Sequence, residues 1–178
     1  MQEAALRSII ESLVPNPEDF EFIDIGSGKG KAMLVASTYP FKRVRGVELS
    51  PRLHQTALAN WSRFSECGLV QCQDVAFSCQ DARKLDDLSG NVLVFLFNPL
   101  SPGPMREFVS RLETMVKAKD CSLMIAYLAP RAREAFEQAQ ELQQLLETRR
   151  LLVFGTSDLT LPDGAMPRLC ARFDSWKT

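Results

Sequence analysis

The chain reads Phe22-Ile23-Asp24-Ile25-Gly26-Ser27-Gly28-Lys29-Gly30 near its amino terminus, and Gly46-Val47-Glu48 ends the next apolar run. The first stretch places a carboxylate at the tip of a short predicted strand, directly before three glycines in a tight loop. Glycine lets the backbone approach a ligand where a Cβ atom would forbid it. The carboxylates of Asp24 and Glu48 can accept hydrogen bonds from an amine and from ribose hydroxyls. This layout predicts a binding pocket for a nucleoside-containing ligand.

Length and composition indicate one globular domain, residues 1–178, with its own core. Of the 178 residues, 46% are hydrophobic and 24% are charged. A net charge of -1 gives no long-range attraction to nucleic acid or to an anionic membrane. The amino-terminal residues lack a signal-peptide pattern, and no run approaches the ~20 apolar residues of a membrane span. We therefore expect a cytoplasmic protein with no membrane partner.

The cysteines are odd in number and show none of the paired C-x-x-C spacings of a zinc site. They are Cys67, Cys72, Cys79, Cys121 and Cys170. We expect free thiols and no bound metal.

Predicted strands alternate with predicted helices along most of the chain. Strands are expected at residues 21–25, 43–49, 75–79, 91–97, 121–128 and 151–155. Amphipathic spacing predicts helices at residues 2–13 (within an amino-terminal segment 1–14), 31–39, from 51 towards 68, after 104, and at 131–146. A final strand is predicted at 168–176, where apolar residues alternate. The connection 156–167 is longer than most loops and is a candidate substrate-side loop.

This alternation implies an α/β fold, with a mostly parallel sheet covered by helices on both faces. We expect a three-layer, doubly wound architecture of seven strands. Because an Asp163-Gly164 turn lies between the last two predicted strands, those strands should form an antiparallel hairpin at one sheet edge.

Polar residues stand at or just after the ends of the first four predicted strands. They are Asp24, Glu48, Asp81 and Asn98. Sheets of this type bind ligands outside the carboxyl ends of their strands, so these residues are candidates for a common site.

The chain resembles the class I S-adenosylmethionine-dependent methyltransferases, whose fold is Rossmann-like, over nearly its whole length. Residues 24–30 match the family's D-x-G-x-G-x-G loop, and Glu48 its acidic second-strand end. Gln80-Asp81-Ala82 is similar to the third motif, and Phe97-Asn98-Pro99 to the fourth. The resemblance implies S-adenosylmethionine as cofactor and S-adenosylhomocysteine as product.

The same resemblance implies a role for each motif residue. Gly26, Ser27, Gly28 and Gly30 would form the loop around the methionine and ribose part of the cofactor. Asp24 would lie near the methionine amine, and Glu48 would accept hydrogen bonds from the ribose diol. Asp81 would contact the adenine amine, while Leu49 and Ala82 would pack on the adenine ring.

The glycine spacing also argues against a nicotinamide dinucleotide as the ligand. The spacing Gly26-x-Gly28-x-Gly30 differs from the G-x-G-x-x-G pattern of nicotinamide sites. A carboxylate at Asp24 would repel a pyrophosphate but attract an ammonium group. A nicotinamide-dependent oxidoreductase is therefore the less favoured alternative.

Asn98 and Tyr127 are the candidates for the catalytic, acceptor-side position, and Asn98 is also a candidate cofactor-binding residue. In amino-methylating branches of the family, a related Asn or Asp-Pro-Pro-aromatic segment holds a planar nitrogen. This chain reads Asn98-Pro99-Leu100-Ser101, without the second proline and the aromatic residue. Two alternatives stay open: Asn98-Pro99 could simply turn the chain out of a strand, and Tyr127 could be a core residue.

The predicted function is methyl transfer to an unidentified acceptor, with a nitrogen on a protein or small molecule favoured over nucleic acid. A catalytically silent cofactor-binding scaffold is the main alternative. The basic cluster Lys42-Arg43-Val44-Arg45 lies at a strand start and is predicted to be a solvated rim away from the ligand. A homo-oligomer is possible, since a second chain could complete the substrate site.

Overall fold

The computed structural model describes residues 3–118 and 121–174. Within them, seven strands form one sheet: β1 Phe20–Ile25, β2 Arg43–Glu48, β3 Val75–Cys79, β4 Gly90–Leu96, β5 Cys121–Leu128, β6 Gln143–Glu147 and β7 Leu151–Gly155. The α-helices are α1 Glu3–Leu13, α2 Lys31–Ala36, α3 Pro51–Phe64, α4 Pro102–Ala118 and α5 Ala165–Phe173. The strand order is β3-β2-β1-β4-β5-β7-β6.

The sheet is parallel from β3 to β5, and β7 runs antiparallel to both of its neighbours. This arrangement confirms the predicted mostly parallel, seven-stranded fold with an antiparallel hairpin at one edge. The strand order reverses between β1 and β4, so the ligand crevice of such a sheet is expected beside the carboxyl ends of these two strands.

Helices cover both faces of the sheet, and side-chain alternation along the strands builds two cores. In β1, Phe22 faces the core formed with α1, α2 and α5. Its neighbour Ile23 faces the core formed with α4. Strand β4 lies between β1 and β5 and is buried on both faces, which explains its continuous apolar run.

The helical segment that contains α3 begins and ends at the residues that the sequence predicts. The backbone N–H of Leu53 donates to the Ser50 side chain at 3.4 Å, so Ser50 caps α3 as expected. Gly68 adopts the left-handed conformation, with a φ of 74°, after the short 3-10 turn that ends this helical segment. Helix α1 confirms the predicted amino-terminal helix to Leu13, while Gln2 lies outside the described residues.

The prediction of a helix at residues 131–146 is wrong. This segment forms a 3-10 turn at Arg133–Phe136 and then strand β6. Its Ala, Glu and Gln residues favour a helix locally, but β7 is fully buried and its outer edge needs a pairing partner. Pairing with β7 therefore overrides helix propensity.

The prediction of a strand at residues 168–176 is also wrong. Residues Ala165–Phe173 form α5, and residues 175–178 lie outside the described part of the chain. The buried residues of α5 are Ala165, Leu169 and Phe173, which recur every four positions and pack against α1. This four-residue spacing is helical. The prediction failed because it took the apolar residues to follow the two-residue period of a strand.

The connection 156–167 does not lie on the predicted substrate side. Thr156 follows β7, and its backbone N–H donates to the carbonyl of Leu123 near the start of β5 at 3.0 Å. Ser122 hydrogen-bonds Asp158 at the same end. The connection therefore begins at the amino edge of the parallel strands, opposite the ligand crevice.

The predicted solvated rim at residues 42–45 needs a correction. Arg45 is buried, with 7% of its surface exposed. Its guanidinium pairs with Glu21 and, at 2.6 Å, with Asp87. Arg43 pairs with Asp74 at 3.2 Å. Each of these arginines has an acidic partner, so the cluster forms no free basic patch.

Among the described helices, none has the length and apolar content needed to cross a membrane.

Candidate functional site

A cleft of about 290 Å³ lies at the carboxyl edge of the sheet. The loops that follow β1, β2, β3 and β4 form its walls, as the strand order predicts. It brings together seven of the predicted site residues: Gly26, Gly28, Glu48, Leu49, Asp81, Ala82 and Asn98. The other four, Asp24, Ser27, Gly30 and Tyr127, are buried and do not line the cleft.

The glycine loop is held against the end of β2 by its own backbone. The N–H groups of Gly26 and Ser27 both donate to the carbonyl of Val47, at 2.8 and 3.1 Å. Gly26 has a φ of 69°, and a Cβ added there would lie 2.6 Å from the Cβ of Pro99. Gly28 has a φ of 57° and space around it. The loop therefore needs glycine at Gly26 for packing and at both positions for backbone conformation.

We expect Gly26→Ala to destabilise the protein by about 1 kcal/mol more than Gly68→Ala, because only the former overpacks a neighbour. Both glycines have left-handed backbones, with φ values of 69° and 74°, but nothing lies within 4 Å of a Cβ added to Gly68. The two variants share the conformational strain and differ in the contact with Pro99. Chemical denaturation measures the difference, and equal losses would contradict the role of this contact.

Ser27 and Gly30 serve packing around the loop. A Cβ on Gly46 would lie 2.9 Å from the Ser27 Oγ, so Gly46 makes room for the buried Ser27. A Cβ on Gly30 would lie 3.1 Å from Ala57 on α3, and Gly30 is the N-cap residue directly before α2. Direct ligand contact by Ser27 and Gly30 stays a prediction.

Glu48 is fixed by two backbone amides. The N–H of Gly28 donates to its Oε2 and the N–H of Ser50 to its Oε1, both at 2.8 Å. Glu48 is also largely buried, with 8% of its surface exposed. Because each carboxylate oxygen has two acceptor sites, one site on each remains for a pair of ligand hydroxyls. The side chain is positioned before any ligand arrives.

Asp24 is a buried carboxylate without a compensating charge. It is 4% exposed, and among the described residues no hydrogen bond to its carboxylate is formed. Burial, and then the negative charge of Glu48, raise its pKa from 3.8 to about 8. A bound cation at this position would supply the missing charge.

Asp81 is already engaged by a neighbouring arginine that the sequence analysis missed. Its Oδ1 accepts the backbone N–H of Arg83 at 3.0 Å, and the Arg83 guanidinium lies 2.6 Å from Oδ2. These hydrogen bonds lower the pKa of Asp81 to about 2. Arg83 also pairs with Glu107 on α4 at 2.8 Å. A ligand amine at Asp81 would share the carboxylate with Arg83.

The side chain of Asn98 braces the next loop along the sheet. Its Nδ2 donates to the carbonyl of Ala129 at 2.8 Å, and its Oδ1 accepts the N–H of Arg131 at 3.1 Å. If the amide were flipped, its oxygen would face the carbonyl of Ala129 and its NH2 group would face the N–H of Arg131. These contacts therefore fix its orientation. Asn98 lines the cleft, but its side-chain oxygen is engaged, so acceptor contact by that oxygen stays a prediction.

Tyr127 belongs to the same network and is fully buried. Its hydroxyl lies 3.3 Å from the Asn98 Oδ1 and accepts the N–H of Ala132 at 3.1 Å. These contacts favour the alternative in which Tyr127 is a core residue with a satisfied hydroxyl. Its contact with a substrate stays a prediction.

Apolar surface surrounds the mouth of the cleft. Leu49 is 65% exposed and Phe97 is 41% exposed, and Leu53 and Leu100 also line the cleft. Sequence reasoning identified Leu49 and placed Phe97 in the fourth motif, but it assigned no cleft contact to Phe97 or Leu100. The available signal was their position at the end of the most apolar strand.

A second cleft of about 290 Å³ lies beside β6 and β7. Its charged residues include Arg133 and Glu147, which pair with each other at 2.9 Å. Phe136 stacks on Phe154 there, with ring centroids 4.2 Å apart. This cleft lacks the glycine loop and the fixed carboxylate, so the cleft at Glu48 is the better candidate site.

No family model and no curated protein sequence matches the chain. Solved structures do match it. The magnesium protoporphyrin IX methyltransferase of Synechocystis PCC 6803, solved with bound S-adenosylmethionine, superposes with a TM-score of 0.62. It shares 17% identity, and the match covers 87% of this chain and 79% of that one. The fold is that of the class I S-adenosylmethionine-dependent methyltransferases.

Other structures with this methyltransferase fold differ in what they act on. An RNA methyltransferase from Salinibacter ruber, solved with S-adenosylhomocysteine, has a TM-score of 0.60 and 15% identity over 93% of this chain and 97% of that one. The cyclase SpnF has a TM-score of 0.54 and 16% identity over 71% of this chain and 44% of that one. At such identities the likeness shows the fold, and the reaction and acceptor must be argued from the site.

Proposed function

We propose that the chain binds S-adenosylmethionine in the cleft at Glu48 and transfers its methyl group to a nitrogen of a protein or small molecule. The observation that carries the proposal is the pair of buried carboxylates around the glycine loop. Glu48 is fixed with free acceptor sites, and Asp24 has no compensating charge. A ligand with a vicinal diol and an ammonium group matches both.

Each wall of the cleft would hold one part of the cofactor. Glu48 would accept both ribose hydroxyls, and Asp24 would attract the methionine ammonium behind Gly26 and Gly28. Leu49 and Ala82, on the neighbouring loops that follow β2 and β3, would contact the adenine ring. Asp81 would accept from the adenine amine beside Arg83.

S-adenosylmethionine supplies a methyl group made electrophilic by its sulfonium. In the transfer, an acceptor lone pair forms a bond to the methyl carbon while the sulfur–carbon bond breaks, giving S-adenosylhomocysteine. The chain has to align the acceptor at ~3 to 3.5 Å and exclude water. The exposed Phe97 and the partly buried Leu100, both beside Asn98, are placed to do so.

The carboxylates also argue against a nicotinamide dinucleotide. A pyrophosphate on the glycine loop would approach Asp24, which is buried and not paired with a cation among the described residues. A pyrophosphate would repel the carboxylate form of Asp24 and keep the group protonated, whereas an ammonium group stabilises the carboxylate. The charge of the loop therefore favours a ligand with an ammonium group.

A silent scaffold would use the same cofactor site, so turnover must separate the two functions. We expect the purified protein to transfer labelled methyl from S-adenosylmethionine to a fraction of a cell extract, separated into protein, RNA and small molecules. Glu48→Ala, assayed beside it, should lose the transfer. Binding of S-adenosylhomocysteine without transfer to any fraction would favour the scaffold.

A further inference from the structure

The acceptor side of the sheet edge carries arginines on two adjoining loops. Residues 129–133 follow β5, and residues 148–150 connect β6 to β7. Because β7 is antiparallel, both loops lie at the carboxyl edge of the parallel strands, next to Asn98. The N–H of Ala129 donates to the carbonyl of Arg150 at 2.6 Å and joins the two loops.

Two of these arginines have exposed side chains and no ionic partner among residues 3–118 and 121–174. They are Arg131 and Arg149. Their neighbour Arg133 is neutralised by Glu147 at 2.9 Å. Arg131 lies on the loop that contacts the cleft residue Asn98, and Arg149 lies on the next loop along the sheet edge, where the Asp174 carboxylate accepts its backbone N–H.

The main chains of both arginines are held by side chains. Arg131 donates its N–H to the cleft residue Asn98 at 3.1 Å. Arg149 donates its N–H to Asp174 at 2.9 Å. Surface arginines on mobile loops would need no such supports, whereas a binding wall needs a fixed backbone.

The strand ends beside these loops are also strained. Asn98 and Ala129 have φ values of 51° and 49°, and they are the described non-glycine residues with positive φ. Such conformations cost on the order of 1 kcal/mol each and cluster at functional sites. The strain shapes the junction between the cofactor cleft and the arginine loops.

We propose that Arg131 and Arg149 form an anion-binding wall of the acceptor site, so that the acceptor carries a carboxylate or a phosphate group. This inference rests on the proposed function, because it takes the Asn98 side of the cleft as the acceptor side. A guanidinium binds either oxyanion through two parallel N–H groups. Asn98 and Tyr127 are positioning residues for Arg131 in this arrangement.

The test is a titration of the isotope-labelled protein, saturated with S-adenosylhomocysteine, with inorganic phosphate and separately with acetate. We expect saturable shifts of the backbone amides of residues 131 and 149 in nuclear magnetic resonance spectra. The double variant Arg131→Glu with Arg149→Glu should bind the anion at least tenfold more weakly. Arg63→Glu, an exposed arginine on α3, is the matched control and should behave as the unchanged protein.

The two anions separate the sources: a response to phosphate alone indicates a phosphorylated acceptor, and a response to acetate indicates a carboxylate. No saturable shift with either anion, or an unchanged affinity in the double variant, would overturn the inference. If S-adenosylhomocysteine itself does not bind, the proposed function fails, and the same titration of the free protein still reports on the arginines.

Discussion

Glu48→Ala is expected to weaken binding of S-adenosylhomocysteine by roughly 2 to 4 kcal/mol, about 30- to 1,000-fold. The glutamate would make two charge-assisted hydrogen bonds to the ribose diol. Its carboxylate also holds the N–H groups of Gly28 and Ser50 at 2.8 Å, so the variant would lose the fixed shape of the loop as well. Both losses reduce affinity in the same direction.

Calorimetry measures this effect, with Glu66→Ala as the control. Glu66 is an exposed glutamate on the 3-10 turn after α3, away from the cleft. Thermal unfolding of the ligand-free variant shows whether the loop change alters the whole fold. An affinity within twofold of the unchanged protein would contradict the assignment of Glu48 to the ribose.

Asp24→Asn is expected to weaken cofactor binding at pH 8 and to remove its pH dependence. The pKa of Asp24 is raised to about 8 by burial and by Glu48. An ammonium ligand binds the carboxylate form, so binding below pH 8 releases a proton. Affinity should therefore rise by up to tenfold per pH unit as the pH approaches 8. The amide has no proton to release, so its affinity should stay flat over this window.

Asp24 should also make the stability of the free protein depend on pH. Cofactor affinity should rise with pH, whereas stability should fall. The folded-state pKa of Asp24 lies above the ordinary value of 3.8. Between these values the folded protein holds a proton that the unfolded chain has lost. The free energy of unfolding therefore falls as the pH rises from about 4 to about 8.

Asp24→Asn should flatten this fall, because the amide stays neutral throughout. Urea unfolding at pH 5 and pH 8 measures the stability difference, and calorimetry in buffers of different ionisation enthalpy measures the proton released on binding. Asp86→Asn, in an exposed loop position, gives the comparison for a carboxylate outside the cleft. A variant that kept the full pH dependence of binding would contradict the assignment of Asp24 to the ammonium.

Several parts of the fold were predictable because the local sequence preference and the tertiary packing favour the same structure. The apolar run in β4 is long, β-branched or aromatic at many positions, and buried on both faces. Ser50 and Pro51 begin α3 by a mechanism that is entirely local. The glycine loop is fixed by positive φ values that other residues rarely adopt.

The carboxyl-terminal third was harder to predict because a distant strand decides its structure. Residues 143–147 become a strand only through pairing with β7. Once that hairpin is formed, residues 165–173 are free to cover the sheet as α5 beside α1. The hairpin was expected and its strand at residues 151–155 was identified, but its partner strand was placed at residues 168–176 because propensity favoured a helix at 143–147.

The candidate site was predictable in its backbone and carboxylates but less so in its partners. Glu48 and Asp24 follow from motif and strand position. Arg83 and the brace from Asn98 to Arg131 depend on which loops meet in space. Short-range patterns do not contain that information, so these contacts emerged only from the structure.

The most direct test of the central claim is a calorimetric titration of the unchanged protein with S-adenosylhomocysteine and, in parallel, with NADH. We predict saturable binding of S-adenosylhomocysteine at one site per chain and no binding of NADH. Binding of NADH without binding of S-adenosylhomocysteine would contradict the cofactor assignment and the proposed methyl transfer together.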